Sequence, residues 1–341
     1  MSALGPDGCN ALGPTGALPF DRDIRFFGAV TGTDATGAIT DAIASLPAGG
    51  GRVIVPAGDW GVSADVVLGS NIELVGGHGS MLRKLGTDHH VVRIEGNFSA
   101  VKGLQFNGNF QAQGSLIVVH GSDNLVFDNL LYDNGVMADG AYANASHGVS
   151  LDGQASTCKR NTILSNTIRN CHDIGVSQHT TTDNKILGNE ISTMGLEGVS
   201  IDVTSHLCLV QGNRIIGAGV KGGVGGIGID GSEIYRIIGN HIAGTASGLS
   251  GIKTQNNTGN ASFGLINDNT ILDNQGWGIW LFAGAGGSPD RCVLNGNVIR
   301  GNPTGSIRLD AGCDFNVVTC NSVNGVAPSN AGAGNVVANN V

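Results

Sequence analysis

The chain has 341 residues, 57 of them glycine, with 40% hydrophobic, 13% charged and 5% aromatic residues and a formal charge of −9. Glycine is costly inside helices, so this composition disfavours a helical bundle, while Ile, Val and Leu recur too often for a disordered chain. There is no Lys/Arg cluster and no run near the roughly 18 apolar residues of a membrane span, so neither nucleic acid nor membrane is an expected partner.

The start, MSALGPDGCNALGPTGALPF, is rich in Gly and Pro and has neither a basic n-region nor an apolar h-region. It is read as an arm over residues 1–21 preceding one domain over 22–341. No signal peptide is read, which leaves a cytoplasmic protein, or a virion component of a phage. The seven cysteines lack zinc spacing and are expected as buried reduced thiols. TDATGAITDAIASLP follows, with Thr33 or Asp34 as a helix cap and Pro47 as the stop. Such a helix would cover the open end of whatever comes next. GGGRVIVPAGDW then begins the strands.

From there the chain repeats. An apolar-apolar-x-x-Asn-x-apolar phrase recurs at Asn129, Asn166, Asn189, Asn213, Asn240, Asn269, Asn297 and Asn321. Between these lies a second phrase: HGVSLD, IGVSQH, EGVSID, GGIGID, SGIKTQ, WGIWLF and GSIRLD. Short period-two segments, separated by Gly/Asn turns and returning about every 25 residues, predict a coil of short parallel strands. Stacked coils bury one apolar column, and inward Asn residues bond their copies above and below. The fold class is all-β, a right-handed parallel β-helix with a short N-terminal capping helix. The run from IRFFGAV through GGGRVIVPAGDW resembles the opening of the pectate-lyase-like β-helix superfamily, with Trp60 where that family usually has Tyr. The resemblance implies a carbohydrate-active protein: a polysaccharide lyase, glycoside hydrolase, uronan C5-epimerase or phage tailspike depolymerase.

In each Gly-apolar-x-apolar-x phrase the x positions point outward. Asp152, His179, Asp202 and Asp230 therefore form one vertical file, with coils about 4.8 Å apart. His147 and Glu197 flank it, and Lys253 lies diagonally beyond. Stacked like charges destabilise a sheet, so the file reads as a site. Its carboxyls push one another's pKa values apart, and His179 between Asp152 and Asp202 suits general acid–base work. Three enzyme readings follow. The first is proton abstraction from a uronate by His179, Asp202 and Lys253, as in a lyase or C5-epimerase. The second is glycoside hydrolysis by paired carboxylates. The third is isomerisation or cyclisation of a small intracellular metabolite. A non-catalytic glycan-binding or structural β-helix is the alternative outside enzymology.

IGVSQH and EGVSID are also similar to a phrase pair of mannuronan C5-epimerase catalytic modules. That resemblance implies a catalytic His at His179 and an acidic partner at Asp202, whereas the family's Tyr and first Asp fall on Ile174 and Ser177. The long interval before HGVSLD holds NGVMADGAYANAS, from which Tyr142 or His147 would overhang the file. Gln255, Trp277, Trp280 and Arg308 extend the outward rows as substrate-binding candidates, the tryptophans as stacking surfaces for sugar rings. No cofactor is required by these motifs, although Asp152, Asp202 and Asp230 would supply oxygen ligands for a divalent cation such as calcium. The expected partner is a carbohydrate or small molecule. A homo-oligomer is expected if the arm joins subunits, a trimer in the case of a tailspike.

Overall fold

The computed structural model describes residues 21–111, 113–137, 146–153, 158–323 and 326–341. Tyr142 and nearly all of the N-terminal arm lie outside the described residues. The described strands form three parallel sheets of 13, 11 and 11 strands, each strand pairing with its equivalent one coil on. This is a right-handed parallel β-helix of pectate-lyase-like fold.

The inward positions alone make the core. Ile163, Ile186, Val210, Ile237 and Ile266 stack in the first sheet, Ile168, Ile191, Ile215, Ile242 and Ile271 in the third, and all are buried. The eight predicted asparagines are stacked and buried between them. Asn166 Oδ1 accepts from the backbone N–H and Nδ2 of Asn129, both at 3.0 Å, while its own Nδ2 donates to Val126 O and to Asn189 Oδ1. The amide groups of this Asn ladder are thereby satisfied by the neighbouring coils. The glycine shared by six of the seven second phrases, replaced by Ser306 in GSIRLD, has a steric cause. A Cβ on Gly175 would lie 2.5 Å from Gly198 O and 2.6 Å from Ile191 Cγ2, and the equivalent glycines meet the same neighbours. Two inward positions of the second sheet's column depart from the pattern: Gln178 is buried between Leu151 and Ile201, and Thr254 is buried next to Ile229.

The capping helix forms at Thr36–Ala44 and adds Ile39 and Ala42 to the core. It starts later than the sequence suggests. Ala35 occupies the cap position, and Asp34 reaches past it to accept from Thr36 N–H at 2.9 Å. The helix ends at Ala44, before Pro47 is reached. Of the described cysteines, five are buried and free, and Cys320 is exposed. No helix among the described residues is long and apolar enough to cross a membrane.

Candidate active site

The second sheet carries the file. Asp152 pairs in register with His179, His179 with Asp202, and Asp202 with Asp230. The same column runs further up than the glycine phrase reveals, because Ile94, Val119 and Leu151 are register partners and Glu95, His120 and Asp152 follow them. Glu95 and His120 were missed, although their sequences, IEG and VHG, share the titratable-Gly ending of LDG and IDG. His120 Nδ1 lies 3.0 Å from Glu95 Oε1, which in turn binds Arg93 at 2.8 Å. That upper part of the file is therefore consumed in mutual pairing.

Lower down, the file opens onto a cavity of about 310 Å³ lined by His179, Glu197, Ser200, Asp202, Asp230 and Gln255, with Ile174, Val203, Val224, Gly228 and Ile229 as its apolar wall. Glu197 enters because the outward row has no side chain at Gly228. A Cβ there would lie 2.7 Å from Val224 Cγ2 and 3.1 Å from Glu197 Cγ. The loop before Gly225–Asp230 folds back so that Val224 N–H donates to Glu197 Oε1 at 2.8 Å. The sequence reading placed Glu197 beside the file but did not foresee this wall, which depends on how the glycine-rich loop turns.

Burial is the dominant influence on the cavity's acids. It raises the Asp202 carboxyl to about 7, with Glu197 and Asp230 adding repulsion and the Ser200 hydroxyl, which donates to Asp202 Oδ2 at 2.7 Å, opposing it. Burial also raises the Glu197 carboxyl, against the bond from Val224. Asp202 is thus placed to hold a proton near neutrality inside the cleft. Asp230 is anchored differently, accepting the N–H groups of Asn257 at 2.7 Å and Thr258 at 3.1 Å on Oδ1. His179 Nδ1 lies 3.9 Å from Asp152 Oδ1, both at the upper rim. Ser177 and Ser200 sit in the neighbouring row, and the Ser200 hydroxyl is committed to Asp202.

Other expected residues stand apart. His147 is not among the cavity's lining residues. Its Nδ1 accepts the Ile174 N–H at 3.3 Å, and burial lowers its imidazole to about 4, so it is a neutral acceptor tying two coils together. Lys253, Trp277, Trp280 and Arg308 form a second cluster further along the same face. Lys253 Nζ lies 4.1 Å from the Trp280 ring centre and Arg308 Cζ 4.6 Å from it. Asp310 accepts from Trp280 Nε1 at 3.0 Å and from Arg308 Nε at 2.5 Å. The Trp280 ring, expected as a stacking surface for sugar, is contacted by both cations. Among the described residues, no three His, Cys, Asp or Glu side chains are grouped to hold a metal ion.

Comparisons with known proteins bear on this geometry. A family model described as periplasmic copper-binding protein (NosD) matches residues 136–288, the span that carries the cavity. No curated protein matches the chain. Among solved structures, the A-module of mannuronan C-5 epimerase AlgE4 from Azotobacter vinelandii is similar at 17% identity and a TM-score of 0.71, over 93% of this chain and 99% of that one. The Dettilon tailspike protein (gp208) is similar at 16% identity and a TM-score of 0.71, over 89% of this chain and 62% of the tailspike. ORF18 of Geobacillus virus E2 is similar at 15% identity and a TM-score of 0.70, over 84% of this chain and 59% of that one. The chain therefore spans less than two thirds of the length of the two viral proteins. At these identities the likeness is one of fold.

Proposed function

We propose that this chain is a carbohydrate-active enzyme that cleaves glycosidic bonds by general acid–base catalysis in the cavity around Asp202. The observation that carries this reading is a carboxyl raised to about 7 in a cavity whose lining includes two further acids, Glu197 and Asp230, and, among the described residues, no Lys or Arg. Glycoside hydrolysis needs one protonated carboxyl to donate to the leaving oxygen and one carboxylate to act as base or nucleophile. Asp202 suits the first role, and Asp230, on the adjacent coil and anchored through Oδ1, suits the second. Glu197 lines the same cavity, where its negative charge, when present, helps keep Asp202 protonated. An acidic cavity without a lining cation favours a neutral glycan over a uronan. The fold's occurrence in an epimerase module and in a tailspike supports a saccharide substrate.

A second reading, uronan lyase or C5-epimerase chemistry, is favoured by the 3.9 Å approach of His179 to Asp152 and by the match of His179 and Asp202 to the epimerase phrases. The two readings separate by product. Incubation with a panel of neutral and acidic polysaccharides is expected to release reducing ends from a neutral glycan with no ultraviolet-absorbing unsaturated sugar. An unsaturated uronate product, or inversion at C5 of an intact uronan followed by NMR, would replace the hydrolase reading with the second.

A further inference from the structure

The turn entering the first sheet stacks in register along the molecule, and none of the stacked residues lines the cavity. Asp183 N–H donates to the carbonyl just before Leu207, at 2.9 Å, and the bond repeats from Leu207 to the residue before Ile234, from Ile234 to the one before Phe263, and from Phe263 to the one before Arg291. All five hold φ between 55° and 58°. Asp tolerates this left-handed conformation, but for a β-branched or bulky residue it is an outlier that persists only when its surroundings hold it there. Here the strained residues are also the exposed ones: Leu207 is 43% exposed, Ile234 46% and Phe263 49%. Two residues on, Leu209 and Leu265 are partly exposed on the sheet, with Arg236 between them. One coil above Asp183 the column turns polar, and Arg160 binds Asp123 at 2.6 Å.

We propose that this strip is the contact face for a second copy of the chain, packed antiparallel about a two-fold axis at Ile234. The sequence of the column carries the argument. Read along the coils it is Asp183, Leu207, Ile234, Phe263, Arg291, with Arg160 one coil before and Phe315, 58% exposed, one coil after, which also face each other across the axis. Turned end for end, Asp183 of one copy faces Arg291 of the other, Leu207 faces Phe263, and Ile234 meets itself. The equal coil spacing, about 4.8 Å, brings all five positions to matching heights at once. The Arg291 guanidinium is held on the column between two rings, 5.7 Å from the Phe263 centre and 5.8 Å from that of Phe315. The contact is isologous and closes on itself, so it ends at two copies. Glu233 and Arg236, on either side of Ile234, each meet their own copy at the axis and weaken the contact.

Sedimentation analysis of the full chain tests this. The expected result is a dimer. Ile234→Lys yields monomer with an unchanged circular dichroism spectrum. Arg291→Asp weakens the dimer by about tenfold or more, because it sets two acids face to face. Adding Asp183→Arg to Arg291→Asp restores the native affinity, and Arg236→Leu tightens it. A native chain that stays monomeric, a trimer, a charge swap that fails to restore association, or an Arg236→Leu variant that associates no better overturns the proposal.

Discussion

The outward face of the second sheet carries two clusters built on the same rows, a few coils apart, and they differ in what surrounds each charge. At Asp202 three acids share a partly enclosed space, and the Ser200 hydroxyl is the only side-chain bond opposing Asp202's raised pKa. At Trp280 every charge has a partner: Lys253 and Arg308 rest on the ring, and Asp310 joins ring and guanidinium. The lesson is that outward placement supplies candidates, and the neighbours decide which of them keeps a proton to give. Burial lowers the Lys253 ammonium, yet its position over the ring assigns it to holding the aromatic cluster together.

Substitutions can break this contrast, in order of expected effect. Asp202→Asn removes the proton donor and should lower kcat by about 10²–10⁴-fold, measured on whichever glycan the native chain cleaves. The same variant should lose a pH dependence of stability. Burial raises the folded Asp202 carboxyl from the ordinary aspartate value of 3.8 to about 7, so its stabilising contribution is complete below the lower value and lost as pH rises through 7. Chemical denaturation across that range should show the native chain weakening more steeply than the Asn variant, which keeps the same-signed contribution of Glu197. Gly228→Val pushes on Val224 and Glu197, and should lower kcat by about 10²-fold through misplacement of the acids while the chain stays folded. Trp280→Ala should leave kcat unchanged and lower thermal stability, through loss of cation–π contacts of about 0.5–2 kcal/mol each. A large fall in kcat for that variant would merge the two clusters into one site.

Much of this was legible in the sequence because it is periodic. Asn129 through Asn321 mark the coils, and alternation within HGVSLD, IGVSQH and EGVSID places Asp152, His179 and Asp202 side by side, as the register has them. Features that depend on contacts across the period were not legible. The wall that buries Glu197 exists because the loop ending at Val224 folds back over a residue from the previous coil. The covering of Trp280 depends on Lys253 one coil before it and Arg308 one coil after. The helix cap moved because Asp34 also receives the Ser63 hydroxyl at 2.5 Å, a residue 29 positions on. His147 carries a reactive side chain in the right neighbourhood, and only the bond from Ile174 N–H shows that it works as a backbone acceptor.

The claim that Asp202 holds the usable proton can be tested without knowing the substrate. Carbon-13 NMR titration of the side-chain carboxyls, with Asp202 assigned by the loss of its signal in Asp202→Asn, reads the protonation state directly. The account predicts an inflection at about 7 for this carboxyl. An inflection in the ordinary aspartate range near ~4 would contradict it, since Asp202 would then be ionised at neutral pH and unable to act as the acid.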